Sequence, residues 1–102
     1  MIIQGTTPTH IFKLSTSTNL IKDVMITYIQ DKNIVFTKTL ADTKQHDKTI
    51  TVELTQEETM KFSHLLNVRI EFSVLTQNNK VIKKIFKNIP VEEVINKEVF
   101  PI

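Results

Sequence analysis

Residues Lys48–Phe62 read KTITVELTQEETMKF, and two periodicities meet in them. Ile50, Val52 and Leu54 alternate with Thr49, Thr51 and Glu53, the period-2 pattern of a strand with one dry face and one wet face. At Thr55 the pattern changes. Glu58 follows three residues later, the spacing of a capping box in which each side chain satisfies an orphan backbone N–H at the start of a helical turn. The stretch predicts a strand running into one helical turn near residues 56–61, with Phe62 returning to the core and Leu65 packing beneath the turn.

Upstream, Met1–Thr9 predicts an irregular lead-in, since the only Gly of the chain, Gly5, is followed by Pro8. Residues 10–14 then alternate, with Phe12 and Leu14 on one face. Asp23–Gln30 predicts a central strand, because Val24, Ile26 and Tyr28 share one face while Met25 and Ile29 make the other partly apolar. Asp31-Lys32-Asn33 is a turn, and Ile34–Thr39 closes a hairpin with Ile34 and Phe36 on a common face. Leu40–Lys48 is a polar surface loop with room for an irregular edge segment.

Downstream, Leu66–Leu75 carries the longest alternation, with Val68, Ile70, Phe72 and Val74 facing one way and Arg69, Glu71 and Ser73 the other. A turn at Gln77–Lys80 returns the chain as Val81–Ile89, where Pro90 stops it. The remaining residues predict a short strand or an extended tail. About seven short β segments, separated by turn signals, and one helical turn predict an all-β fold: an antiparallel immunoglobulin-like β-sandwich, with a closed barrel as the alternative. The expectation is one domain over residues 1–102.

Composition bounds the function. A chain of 102 residues can bury roughly 60–70% of the surface its unfolded form exposes, enough for one core. Its hydrophobic fraction of 40% and charged fraction of 24% suit a globular protein rather than a disordered one. A formal charge of +2 does not by itself point to nucleic acid. There is no Cys for a disulfide or a thiolate metal site, and the first residues lack the basic and apolar regions of an export signal. An intracellular origin and no membrane association are expected.

No catalytic constellation stands out. His10, His46 and His64 have no metal-ligand spacing, so neither a metal nor another cofactor is expected. Glu57-Glu58 and Glu92-Glu93 are adjacent pairs, which do not converge on one substrate. One Gly cannot build a phosphate-cradling loop, and no Gly-x-Ser-x-Gly elbow is present. The chain is therefore expected not to be an enzyme.

Two surface readings remain. Lys80, Lys83, Lys84 and Lys87, with Arg69 and a stacking Phe86, would form a nucleic-acid contact strand. The competing reading is an edge strand that uses Lys against aggregation, and it is preferred because Glu92, Glu93 and Glu98 follow at once and no aromatic platform accompanies the lysines. The apolar ends, Met1-Ile2-Ile3 and Val99-Phe100-Pro101-Ile102, either meet a partner or pack on their own sheet.

Gly5-Thr6-Thr7-Pro8-Thr9-His10-Ile11-Phe12, Leu54–Phe62 and Val68–Val74 resemble segments of short proteins encoded in phages and prophages of Gram-positive bacteria. The order of features is also similar to the amino-terminal domain of phage baseplate upper proteins: a Gly-Asp-Thr lead-in, a hairpin, a strand ending in Leu-Thr-x-x-Glu and a last hairpin. This sequence has Thr6 where that pattern has Asp, and the expectation is that no long region follows the domain. The resemblance implies a virion structural protein assembled in the host cytoplasm. It would act in multiple copies through contacts with other virion proteins on the capsid, neck or tail, as a decoration or adaptor subunit. The residues expected to make those contacts are Ile2, Ile3, Thr7, Pro8, Val99, Phe100 and Ile102. Nucleic acid is the alternative partner, not the expected one.

Overall fold

The computed structural model describes Met1–Ile102 and orders them into nine strands, one short α-helix and two single 3-10 turns, Thr18–Leu20 and Leu40–Asp42. The strands are β1 (Ile2–Ile3), β2 (Thr9–Lys13), β3 (Ile21–Gln30), β4 (Asn33–Thr39), β5 (Thr43–His46), β6 (Thr49–Glu53), β7 (Val68–Thr76), β8 (Val81–Ile89) and β9 (Val91–Glu92). The helix α1 (Gln56–Met60) follows β6 directly. Its capping box is formed on both sides: Glu58 N–H donates to Thr55 Oγ1 at 3.1 Å, and Thr55 N–H donates to Glu58 Oε1 at 2.8 Å. The other carboxylate oxygen of Glu58 meets Lys38 Nζ at 2.6 Å, so the cap also ties α1 to β4.

β2, β6 and β5 form one antiparallel sheet in the order β2-β6-β5, and β4, β3, β7 and β8 form the other in the order β4-β3-β7-β8. In chain order these are the B-E-D and C′-C-F-G strands of an immunoglobulin-like sandwich, so the chain is an open two-sheet fold and not a barrel. The two sheets enclose one apolar core running from Ile2 to Val91. Antibody domains link strands B and F across the core with a disulfide. Here the equivalent strands are joined by Phe12 of β2 and Phe72 of β7, whose rings stack 4.5 Å apart and almost parallel. A second aromatic cluster, Tyr28, Phe36 and Phe62, fills the other end, and Phe62 is buried as its position after the cap predicts.

The alternation in Val68–Val74 and in Val24–Tyr28 matches the buried faces of β7 and β3. β3 and β7 are the interior strands of their sheet. Four expectations change. Leu65 is exposed, because the chain turns away from the core between Phe62 and Val68. Ile34 and Phe36 lie on opposite faces, since a bulge gives β4 an extra residue opposite Tyr28 and Ile29; Phe36 packs inward and Ile34 faces solvent. The polar loop contains β5, a regular edge strand pairing with β6. The lead-in contains β1, which pairs in parallel with β9, Ile2 opposite Val91. Gly5, at φ +77°, then turns the chain back toward β2.

Candidate interaction surfaces

Three buried glutamines hold the irregular segments of the molecule in place. Each continues a strand's inward phase by two residues: Gln4 after Ile2, Gln30 after Tyr28 and Gln56 after Leu54. A side-chain amide carries one acceptor and two donors, so it can pair with free backbone as a strand neighbour would. Gln30 Nε2 donates to the carbonyls of Ser63 and Leu66 at 2.8 and 2.9 Å, while its Oε1 accepts the Ser63 N–H at 2.9 Å. Gln4 Nε2 donates to the Phe62 carbonyl at 2.7 Å, and its Oε1 accepts from Val94 N–H at 3.3 Å and Lys97 Nζ at 2.8 Å. Gln56 Nε2 donates to the Phe100 carbonyl at 3.1 Å, and its Oε1 accepts the Phe100 N–H at 2.8 Å.

Residues 93–102 are thereby held against the body by two buried amides without forming a strand. Their side chains point outward: Ile95 is 97% exposed, Phe100 77% and Ile102 96%. Val99 is exposed to a lesser degree, at 39%. The result is an apolar ridge on a fixed backbone.

The expected contact residues divide. Ile2 is 2% exposed and belongs to the core, which removes it as a partner contact. Ile3, opposite Glu92 in the β1–β9 pair, remains half-exposed. Thr7 is exposed and Pro8 intermediate in the segment leading into β2. Phe100 and Ile102 form the ridge with Ile95, a residue the sequence reading left out.

The lysines of β8 do not share a face. Ser73 opposite Lys83 lies on the outer side of the four-stranded sheet, and Phe72 opposite Lys84 lies on the inner side, so the two adjacent lysines point in opposite directions. Lys84 Nζ reaches across to the Lys13 carbonyl on β2 at 2.6 Å. A charged side chain turned inward at a sheet edge obstructs the addition of a further strand to that edge, here β8. Phe86 packs edge-on against Phe12 at 5.6 Å and is 40% exposed. Lys87 sits in the irregular stretch beside Asn88, whose φ is +60°. Lys80 lies in the β7–β8 turn. Arg69 is paired with Glu71 on the outer face, Nε to Oε2 at 2.9 Å. The basic stretch lies on β8, the edge strand of the four-stranded sheet.

Lys84 bridges the two sheets where both have open edges. Between the edges lies a groove of about 540 Å³ with walls that are mostly apolar, including Met1, Ile11, Phe86 and Ile89. Ile11 is 61% exposed there. Leu14 N–H bonds to the Lys48 carbonyl, and Leu54 N–H to the Pro8 carbonyl, so even-numbered residues of β2 face β6. By the alternation of an antiparallel ladder, Thr9 and Ile11 turn their own N–H and C=O toward the groove.

His10 reaches in from β2 to the aromatic cluster, its Nδ1 2.7 Å from the Tyr28 hydroxyl and its ring stacked on the tyrosine. Burial holds the His10 pKa below the ordinary histidine value. Burial, reinforced by the negative charge of Glu58, pushes the Tyr28 hydroxyl far above its ordinary range, so the phenol stays protonated. His64 pairs instead with Glu93 at 2.9 Å, and no three His, Asp or Glu side chains converge as a metal site would require. No helix is long and apolar enough to cross a membrane.

No protein-family profile matches the chain, and no curated protein and no solved structure is significantly similar to it.

Proposed function

We propose that the chain is a structural or accessory protein of a bacteriophage particle, a capsid decoration, neck or tail and baseplate adaptor subunit acting through repeated protein–protein contacts. The observation that carries this reading is the ridge at Ile95, Phe100 and Ile102: buried Gln4 and Gln56 fix its backbone while its large apolar side chains stay in solvent. A protein with no partner gains nothing from holding apolar groups in that position, whereas an assembly subunit presents them ready-ordered and loses less entropy on docking. The immunoglobulin-like sandwich and the resemblance of Gly5–Phe12 and Leu54–Phe62 to phage-encoded proteins point the same way.

Mass spectrometry of purified particles, from a host carrying the gene in a phage or prophage, tests the proposal. The expected result is the chain in a fixed multiple-copy ratio to the major structural proteins. A protein abundant in the lysate and absent from the particles overturns it. The alternative, a small nucleic-acid-binding domain using Arg69, Lys80, Lys83, Lys84 and Lys87, predicts retention of nucleic acid that weakens steeply with salt. The opposed directions of Lys83 and Lys84 and the pairing of Arg69 make it the weaker reading.

A further inference from the structure

The groove between β2 and β8 and the ridge at residues 95–102 are different surfaces of one molecule, and their properties are complementary. The groove is apolar, open and bordered by Ile11 backbone groups that lack a strand partner. The ridge is apolar, extended and held outward by Gln56, so Phe100 does not fold back into its own chain's groove.

The charges beside the two surfaces differ in balance: positive along the groove, and with carboxylates outnumbering the single lysine along the ridge. The ion pairs of the molecule are Lys38–Glu58, His64–Glu93 and Arg69–Glu71. Lys13, Lys84 and Lys87, along the groove's edges, therefore have no carboxylate partner within the chain. Glu92 and Glu98, at the base of the ridge and within it, have no cation partner, while Lys97 between them is turned onto the Gln4 amide oxygen at 2.8 Å. Unpaired charges of opposite sign on two apolar surfaces favour their meeting and set its orientation.

We propose that the groove between β2 and β8 receives the Val99–Ile102 segment of a second copy of this chain, with Phe100 against Ile11 and Phe86 and with Glu98 toward the groove lysines. The inference rests on the assembly role proposed above and names the partner as the chain itself. Because groove and ridge differ, the contact is heterologous: each copy offers a ridge to one neighbour and a groove to another. Such contacts close into a ring or continue as a filament, according to the rotation between copies.

The test uses the chain's lack of cysteine. Ile11→Cys and Phe100→Cys are both at exposed positions and leave the core intact. Under mild oxidation, the two variants mixed together form a disulfide dimer at least ten-fold faster than either alone, and faster than Phe100→Cys mixed with Lys44→Cys on the far edge strand β5. Phe100→Asp in an otherwise unaltered chain abolishes concentration-dependent self-association in sedimentation, and Glu98→Lys weakens it. Faster disulfide formation by a single variant alone, a monomer that cross-links no faster than the Lys44 control, or cross-linking of Phe100→Cys only to a different protein within particles would each overturn the inference. The two readings fail separately. Finding the chain in particles without the Ile11–Phe100 cross-link removes the self-docking alone, and the cross-link in a chain absent from particles removes the virion role alone.

Discussion

The side-chain amide of Gln56 grips the backbone of Phe100 from both directions, 2.8 Å to its N–H and 3.1 Å to its carbonyl. Gln56 is the first residue of α1 and almost fully buried, so the capped helix that ends the β6 stretch is also the anchor of residues 93–102. One local sequence signal thereby fixes a segment more than forty residues away.

Replacing Gln56 by Leu keeps the volume and removes both bonds. The expected outcome is release of residues 98–102, seen as loss of amide-exchange protection at Phe100, with a stability loss of about 1–3 kcal/mol from the unsatisfied backbone groups. A chain in which Phe100 stays protected would show that the ridge is held by something else. Gln56→Glu retains the acceptor for the Phe100 N–H and places a carboxylate against its carbonyl, so it is expected to be at least as disruptive.

Thr55→Ala removes the acceptor for Glu58 N–H, and urea denaturation is expected to show a loss of about 0.5–2 kcal/mol. Glu58→Gln leaves a polar oxygen for Thr55 N–H but breaks the ion pair with Lys38. Because that pair is only partly buried and joins α1 to β4, its loss is expected to be measurable but smaller than that of a core truncation.

Phe12→Ala or Phe72→Ala opens the inter-sheet stack. Each is expected to cost about 3–5 kcal/mol, a large part of the total for a domain of this size, and to leave a marginally folded chain in calorimetry. Phe86→Ala, at the edge of the same cluster and 40% exposed, is expected to cost clearly less.

The Asp31-Lys32 turn connects β3 to β4 with both residues at positive φ, +50° and +65°. Two-residue hairpins of this sign favour Asp-Gly. Lys32→Gly relieves a lysine from a left-handed conformation and is expected to raise the unfolding midpoint, with a gain of about 1 kcal/mol.

Acid is expected to weaken the fold in two steps. His10 is held below its ordinary value near 6.5, so between that value and its folded one the unfolded chain binds more protons. Its contribution to stability is complete above pH 6.5 and declines as the pH falls through 6.5 toward the folded value. Glu58 adds a later step. Burial alone would raise its pKa, but the bonds from Lys38 and Thr55 outweigh this and hold it below the ordinary glutamate value near 4.5. Its contribution is therefore present above that value and lost as the pH falls to the folded one. His10→Gln, which still offers a hydrogen-bond partner to Tyr28, is expected to flatten the first step and leave the second; an unchanged slope between pH 7 and 5.5 would exclude His10 as its source.

The sequence by itself determined the strands that bury one face and the helix that carries its own cap. Val24–Tyr28, Ile50–Leu54 and Val68–Val74 alternate because a pleated strand sends successive side chains to opposite faces, and Thr55 and Glu58 sit three apart because that spacing reaches two orphan N–H groups. Those signals are local, and so they survive in the sequence. Only the tertiary structure decided the rest. β1 and β9 have two residues each, too few to show a period, and they exist because Pro90 O and Glu92 O meet the N–H groups of Ile2 and Gln4. β5 lies at an edge with little burial, so nothing in its composition separates it from a loop. The inward glutamines break the apolar phase at Gln4, Gln30 and Gln56, a visible irregularity whose meaning depends on which distant backbone arrives there. Whether Lys83 and Lys84 act together, and whether Phe100 is buried or displayed, likewise follow from which face of which sheet each residue reaches. That placement is set by contacts far apart in the chain, which no stretch of sequence contains.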